Sequence, residues 1–242
     1  MPDGFPNKPK ILRGAFVEYG LSLPPLVVVF QFNPVQLSRN RTLSFSVPGW
    51  VQKSENFVAK IHHREAQQIS LRKFHQDYNS LTELRDYQQV SLQEEAINFE
   101  IRLDATDKLN DGDPITEQFG IAPQLATLEL MVYPKGESLI GKVLGDLLSS
   151  PGGFSYTKKE NPPLILFIWG RKRVLPVNIN SMNITETEFS TDLNPTRATV
   201  AVNLTVIEGK NIPFTYSKAM KEAMSVLNLA NIADIADVMI PG

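Results

Sequence analysis

The stretch INFEIRLD, residues 97–104, carries apolar side chains at its odd positions and polar or charged side chains at its even positions. Such alternation predicts an antiparallel strand with one face in the core and the other in water. The stretch RATVAVNLTVI, residues 197–207, repeats the pattern over a greater length, with the apolar side chains now at even positions. Both stretches indicate an antiparallel β protein.

Five further stretches have the character of strands and raise the predicted number to about seven. They are residues 14–19, 27–32, 41–47, 164–169 and 177–189. The apolar run at 164–169 indicates a central strand. Within 177–189 the apolar positions change from odd to even, which predicts a bulge or bend near Ser181. This number of strands suits an antiparallel sandwich or barrel.

The strand predicted at 27–32 runs into the sequence FQFNP, residues 30–34. Pro34 cannot donate a hydrogen bond to a strand ladder, and it disfavours the helical region for the residue before it. Asn33-Pro34 is therefore predicted to close the strand. The side chain of Asn33 is suited to cap the turn that follows.

Helices interrupt the strands, and each is recognised by a start signal or by a stripe of apolar residues. They are predicted near 68–87, from Asp113-Pro114, from Pro123, from Ser138 through 148, and from Ser217 onward. The predicted fold class is mainly β with inserted helices.

Composition excludes several classes of protein. The 242 residues form one large domain or two small ones, with 42% hydrophobic and 21% charged residues, as in ordinary folded proteins. The longest apolar runs are too short to cross a bilayer, so we expect no direct membrane insertion. No secretory leader is recognised, and synthesis in the cytoplasm is expected. The absence of cysteine excludes disulfides, thiolate metal sites and cysteine nucleophiles.

The charges are unevenly distributed along the chain. Residues 1–73 contain 10 Lys and Arg against 4 Asp and Glu, whereas the remainder contains 14 against 22. Such asymmetry is typical of a nucleic-acid surface or of opposite surfaces that meet different protein neighbours. The basic residues are scattered rather than clustered, which favours protein neighbours over nucleic acid.

The stretch GESLIGKV, residues 136–143, matches the phosphate-binding pattern G-x-x-x-x-G-K but places Val143 where the loop needs a Ser or Thr hydroxyl for magnesium. The residues from Leu139 onward have the spacing of an amphipathic helix. A turn followed by a capped helix is therefore favoured over nucleotide binding.

Other residues that could carry chemistry lack the required spacing. His62, His63 and His75 could supply imidazole ligands, but adjacent histidines on a strand point to opposite faces. The aspartates of DATDKLNDGD, residues 104–113, do not follow the register of a calcium loop. Ser, His and Asp are present without a G-x-S-x-G elbow. We predict no catalytic, cofactor-binding or metal-binding residues, and no enzymatic activity.

The stretch YQQVSL, residues 87–92, allows two interpretations. It could form an exposed edge strand, and such edges recruit neighbouring chains. A plain loop has the same composition, and the sequence does not decide between them.

Five stretches, taken in order, resemble one family: the tube-related baseplate proteins of contractile injection systems, which are phage-tail-like particles of bacteria. They are VVVFQFNP (27–34), FEIRLDATD (99–107), FGIAPQLATLELMVYP (119–134), PPLILFIWG (162–170) and ITETEFSTDLNPTRATVAVNLTVIE (184–208). The resemblance implies the tail-tube fold, a β-barrel or sandwich with a packed helix. It also implies a ring of six copies between the spike hub and the stacked inner tube.

On this resemblance, residues 1–208 form a tail-tube-like β domain with a polar inserted arm near 49–95, and residues 209–242 form a helical tail. The implied function is structural: a baseplate ring that joins the hub to the inner tube and initiates tube assembly. The implied partners are further copies of the chain, the inner-tube protein, the spike hub and other baseplate subunits, without nucleic acid. The alternatives are a main inner-tube subunit, or a stand-alone ligand- or carbohydrate-binding β-sandwich.

One feature departs from that family. Its members often carry a C-terminal LysM domain, whereas residues 209–242 are too short for one and have a helical pattern. A sheath-clamping role is therefore not part of the expectation. The chain is expected to be cytoplasmic during assembly and then part of an injection particle.

Overall fold

Nine strands and seven helices are present in the computed structural model, which describes residues 12–20, 25–61, 68–134 and 161–228. The strands are β1 (Ala15–Glu18), β2 (Val27–Val29), β3 (Leu37–Asn40), β4 (Leu43–Ser46), β5 (Gln89–Leu92), β6 (Ala96–Asp104), β7 (Ile165–Ile168), β8 (Val174–Phe189) and β9 (Pro195–Val206). The helices are α1 (Gly49–Ile61), α2 (Leu71–Gln76), α3 (Leu81–Tyr87), α4 (Thr106–Asn110), α5 (Pro114–Phe119), α6 (Ala122–Leu130) and α7 (Ile212–Asn228). Residues 40–95 form one compact unit, and the described residues before and after them form another.

The first unit is built on a sheet of seven strands in the order β2-β1-β7-β8-β9-β6-β3. Neighbouring strands from β2 to β6 are antiparallel. The predicted class, mainly antiparallel β with inserted helices, is confirmed. The apolar run predicted to be a central strand is β7, which has a strand neighbour on each side.

The two alternating stretches pair with each other as β6 and β9. Ile101 stands opposite Val200, and Leu103 opposite Ala198. All four side chains are buried, whereas the intervening residues of β6 face outward. The two strands therefore contribute one continuous apolar face to the core, as their alternation predicted.

The predicted bulge in β8 is confirmed. The pairing of β8 with β9 shifts between Ile179 and Ser181, so Asn180 has no opposite residue in the register. The extra residue reverses the alternation of the strand. Consequently Val177 faces the core before the bulge, and Met182 packs against the core after it.

The sheet curls so that strands far apart in the sheet order come together. Gln31 lies two residues beyond β2, yet its side-chain Nε2 donates to the carbonyl oxygen of Asp104 at 2.7 Å, and its Oε1 accepts from the Asp104 N–H at 2.8 Å. Asp104 ends β6, and in a flat sheet five strand spacings, about 24 Å, would separate β2 from β6. A flat sheet is therefore excluded.

Aromatic packing on the concave side agrees with the curl. The rings of Phe16, Phe30, Phe99 and Phe167 have centroids 5.1 to 6.4 Å apart, although they come from β1, the end of β2, β6 and β7. Helix α6 adds Leu125 and Leu128 to the same core. The edges β2 and β3 do not pair with each other in the described part of the chain. A closed barrel, one of the two architectures predicted from the sequence, is thus not formed there, and the sheet is an open roll.

In the FQFNP segment, the Asn33 side chain bonds to the backbone just before β1 rather than to the backbone of its own turn. Asn33 Oδ1 accepts from the Gly14 N–H at 3.0 Å, and Asn33 Nδ2 donates to the Leu12 carbonyl at 2.8 Å. The prediction that Asn33 caps a local turn was therefore wrong in its choice of partner. Gly14 is required here, because a Cβ at this position would lie 2.7 Å from the ring of Phe30.

Two helix starts are confirmed. Asp113 caps α5 by accepting from the Thr116 N–H at 3.1 Å, and Pro114 follows it in the first turn. Pro123 occupies the first turn of α6, where its missing N–H costs nothing. Between these helices Gly120 has φ +58°, a left-handed conformation that glycine adopts without strain.

The last helix begins earlier than predicted. Helix α7 starts at Ile212, because the Asn211 side chain accepts from the Phe214 N–H at 2.9 Å. Ser217, the predicted cap, lies inside the helix and is buried. Its hydroxyl accepts from the N–H of Val174 and donates to the carbonyl of the same residue, at 2.9 and 2.7 Å. These bonds fix α7 to the start of β8.

The single helix predicted near 68–87 is two helices. Ser80 Oγ accepts from the Glu83 N–H and starts α3, so the chain leaves helical geometry after α2. The helix predicted from Ser138 through 148 lies outside the described residues.

The second unit contains β4, β5, α1, α2 and α3. β4 and β5 form a two-stranded antiparallel sheet of their own. The strand predicted at 41–47 is therefore real but does not join the main sheet. Of the two interpretations of YQQVSL, the strand is confirmed for residues 89–92.

Candidate interaction surfaces

The sheet of the second unit has an apolar face whose side chains remain about half exposed. Leu43 stands opposite Leu92, and Phe45 stands opposite Val90. Alternate residues share a face, so these four side chains lie together on what we call the ladder face. Each is exposed to between 47 and 51%. Cross-strand apolar pairs normally stabilise a sheet by excluding water, and here they remain in contact with it.

The other face of the ladder is polar. Ser44 stands opposite Ser91, and Ser46 opposite Gln89. An isolated two-stranded ladder is marginally stable in water and needs a third strand or a packed apolar face to persist. The amphipathic character of the ladder indicates which face needs to be covered.

Helix α1 carries a second exposed apolar surface. Trp50, Phe57, Val58 and Ile61 recur at intervals of seven, one and three residues, which places them on one side of the helix. We call them the helix stripe. Trp50 is 58% exposed and Phe57 is 66% exposed. A surface helix of a folded domain normally buries such a stripe.

Little of the second unit is buried. Among its described residues, Phe74 is the one large apolar side chain that is buried. Its ring lies 5.0 Å from that of Tyr78, which lies 5.8 Å from Tyr87, which in turn meets Trp50 edge-on at 6.1 Å. The aromatic contacts thus lead from a small interior to the surface. A unit with so small a core gains little stability from its own hydrophobic burial.

One buried charge of this unit is paired. Glu95 is 2% exposed, and its Oε2 accepts from Arg41 Nη2 at 3.2 Å. Residues 40–95 as a whole contain seven Lys and Arg and seven Asp and Glu. The unit therefore has no net charge to oppose association with an apolar partner.

The main sheet offers an edge of its own. β2 has a strand neighbour on one side only among the described residues. Val27 and Val29 are half exposed beside this edge, while Val28 between them is buried. The described part of the strand contains no Lys, inward charge or bulge of the kind that discourages edge pairing.

The residues weighed as candidate sites are dispersed or have structural partners. His75 Nε2 lies 2.8 Å from Gln88 Oε1. A hydrogen bond from the Thr106 side chain, aided by Arg197, lowers the pKa of Asp104 against the opposing effect of burial. Hydrogen bonds from Thr116 lower the pKa of the capping residue Asp113. No group of three or more potential metal ligands occurs in the described ranges.

Two of the sequence candidates fall in other parts of the chain. The pair His62-His63 and the stretch 136–143 lie outside the described residues. None of the described helices combines the length and apolar character needed to span a membrane.

One open cleft of about 400 Å³ lies between α6 and the middle of β8. Its lining consists of Glu129, Val132, Tyr133, Met182 and Ile184. Binding pockets for small molecules usually enclose most of the surface of the ligand. This cleft is open to solvent and does not enclose a ligand in that way.

No known family model matches the chain, and no curated protein matches it.

Sequence reasoning did not find the apolar faces of these two surfaces, although it offered YQQVSL as an exposed edge that could recruit a neighbouring chain. The alternation of residues 41–47 was recognised, but nothing local distinguishes a strand of the main sheet from one of a separate pair. The helix stripe has a recognisable spacing, yet it lies within the segment that was predicted to be a polar arm. The signal in the sequence was the spacing of Trp50 and Phe57, two large aromatic residues seven positions apart in this segment.

Proposed function

We propose that the chain is a structural, non-enzymatic subunit of a contractile injection system. In this role it forms a ring of six copies in the baseplate, between the spike hub and the inner tube, and initiates tube assembly. It is made in the cytoplasm and becomes part of the particle. Its action is assembly: it presents surfaces that are stable only when neighbouring subunits cover them.

The observation that carries the proposal is the excess of exposed apolar side chains in the second unit. The large hydrophobic residues exposed in its described part are Leu43, Phe45, Trp50, Phe57, Val58, Ile61, Leu81, Tyr87, Val90 and Leu92. Against these stands one buried counterpart, Phe74. Clusters of exposed apolar side chains, such as the ladder face and the helix stripe, are typical of protein–protein contact surfaces.

Two further features support an assembly role. β2 has one strand neighbour among the described residues, so its other edge could pair with a strand of another subunit. Five stretches between residues 27 and 208 resemble tube-related baseplate proteins in the same order. This resemblance is the reason for proposing a contractile injection particle as the assembly. An open antiparallel roll with a packed helix agrees with the coarse features of the fold implied there.

Position within the particle tests the proposal. Particles are purified from cells that make the chain and are labelled with gold-coupled antibody against it. We expect label at one end of each tube, where the baseplate lies. Label along the whole tube would instead assign the chain to the main inner tube. Particles that carry no label at all would contradict both roles.

One observation favours a second candidate, a carbohydrate-binding module. Trp50 and Tyr87 form an exposed edge-to-face pair, and sugar rings bind against exposed aromatic faces. Trp169, by contrast, stacks on Phe167 beside the core. In a Trp169→Phe variant the fluorescence reports Trp50 alone. Saturable changes on titration with soluble oligosaccharides would favour this module, and an unchanged spectrum would favour assembly.

A further inference from the structure

We propose that the helix stripe of one copy of the chain packs on the ladder face of a second copy. This inference deepens the proposed function and rests on it, because it names the partner of the exposed surface of the second unit. The contact is heterologous: each copy gives its helix stripe to one neighbour and its ladder face to the other. Repeated contacts of that kind close into a ring when the rotation between copies permits it.

The side chains of both surfaces remain about half exposed or more within the described part of one chain. β4 and α1 are separated only by Val47 and Pro48, and they belong to the same compact unit. Even so, Phe45 of the ladder face and Phe57 of the helix stripe are both exposed. The helix therefore does not cover the ladder of its own chain, and a second copy supplies both missing halves.

The surfaces agree in size. From Trp50 to Ile61 the helix stripe extends over about 16 Å at the rise of an α-helix, and an α-helix with side chains is about 10 Å wide. A ladder of four residues is about 13 Å long, and two strands with their flanks cover a similar width. One helix therefore covers the ladder face without leaving a large apolar remainder.

The surfaces also agree in chemistry. Both are apolar at their centres, and each has a polar opposite side, which on the ladder consists of Ser44, Ser91, Ser46 and Gln89. The balanced charge of residues 40–95 gives no general repulsion between copies. A hydrophilic partner would leave these apolar centres unpaired.

The expected contact is weak when taken singly. The four side chains on each surface offer on the order of 400 Å² per partner, which is about half of a standard interface. A closed ring links several such contacts, so each one is strengthened by those already formed. Association is therefore expected to be cooperative and to require high protein concentration.

Cross-linking tests the geometry directly, because the chain contains no cysteine. Phe57→Cys and Val90→Cys are made as separate variants, mixed at high protein concentration and oxidised. A disulfide between the two variants requires their Cα atoms within about 7 Å across two chains. We expect the mixed disulfide to exceed either homodisulfide at least about fivefold.

The matched control replaces Val90→Cys by Ser44→Cys, which lies on the polar face of the same ladder. This mixture is expected to give no preference for the mixed disulfide. Equal yields in both mixtures, or homodisulfides as the main product, would overturn the proposal. It would also be overturned if the wild-type chain remained monomeric at high concentration and bound these surfaces only to a different protein.

Charged variants supply a second readout that does not depend on cross-linking. Phe57→Asp and Val90→Asp should each weaken self-association at least about tenfold, as expected for apolar residues at the centre of an interface. Mixing the two variants leaves one intact contact, so they should form dimers and nothing larger. If the mixture stayed as dissociated as its components while both remained folded, the heterologous contact would be refuted.

The result separates this inference from the ring itself. A six-fold ring without the mixed disulfide would refute the helix-to-ladder contact and leave the ring standing. A mixed disulfide in a chain that forms only dimers would support the contact and count against the ring.

Discussion

At the scale of single residues, the structure explains why the amide side chain of Gln31 lies between two aromatic residues, Phe30 and Phe32. Phe30 turns into the aromatic core, whereas Gln31 closes the curl of the sheet through the backbone of Asp104. No sequence pattern reveals that role, because the partner lies 73 positions away. The same holds for Asn33. An asparagine at this position predicted hydrogen bonds to the backbone, but not that their partners would be Leu12 and Gly14 just before β1.

Replacing Gln31 by alanine tests whether its contact with Asp104 stabilises the curled sheet. Two hydrogen bonds disappear and the N–H and carbonyl of Asp104 lose their partner, so we expect the free energy of unfolding to fall by about 2 kcal/mol. Urea denaturation followed by circular dichroism measures the change. Gln36→Ala, at an exposed position beyond the same turn, serves as the control. Equal effects of the two substitutions would show that the contact of Gln31 with Asp104 does not stabilise the curled sheet.

Asp104 also predicts a dependence of stability on acid. Its pKa in the folded chain is lowered from 3.8, mainly by the hydrogen bond from the Thr106 side chain. Stabilisation by its carboxylate is therefore complete above the unfolded pKa and is lost as the pH falls through the lower folded value. In Asp104→Asn the urea midpoint should decline less steeply below about pH 4 than in the wild type. Parallel declines would count against this role of Asp104.

At the scale of elements, local sequence signals predicted several of the helix starts correctly. Where a predicted start was wrong, long-range contacts in the structure explain the difference. Asp113-Pro114 and Pro123 are complete start signals, and both helices begin there. Ser217 has the type of a capping residue but is buried against β8, which favours a helix that starts before it. Similarly, the apolar spacing of residues 68–87 fits one helix. In the structure α2 ends at its cap residue Asp77, and the capping bond of Ser80 starts α3.

Gly120 is required by the junction between α5 and β9. A Cβ there would lie 2.1 Å from the carbonyl oxygen of Pro195, and the backbone has φ +58°. Gly120→Ala should therefore lower the free energy of unfolding by about 3 kcal/mol or more, from the clash and the backbone strain together.

The matched control is Gly112→Ala. That glycine has a similar φ of +68°, but the nearest atom to its Cβ would be 3.9 Å away. The loss should be limited to about 1 kcal/mol of backbone strain. Both variants are compared by urea denaturation. A similar loss in the two would mean that the contact with Pro195 relaxes at little cost.

At the scale of the whole molecule, alternation predicted most of the strands of the main sheet but not how far the sheet curls. The alternation of β6 and β9 and the bulge in β8 follow from which residues are apolar, so they were visible in the sequence, whereas the pairing of β6 with β9 was not. How far a sheet curls depends on contacts between distant strands, here Phe99 with Phe30 and Gln31 with Asp104. The sequence also did not show that β4 and β5 form a separate sheet, because their alternation resembles that of any half-buried strand.

The central claim is that the chain acts by assembling into a ring. Light scattering on a sizing column, with electron microscopy of the same peak, tests it most directly when the chain is measured alone and mixed with the hub and inner-tube proteins that we propose as its partners. We predict a mass of six copies and six-fold symmetric rings, in at least the mixture. A chain that stayed monomeric both alone and in the mixture would contradict the assembly role.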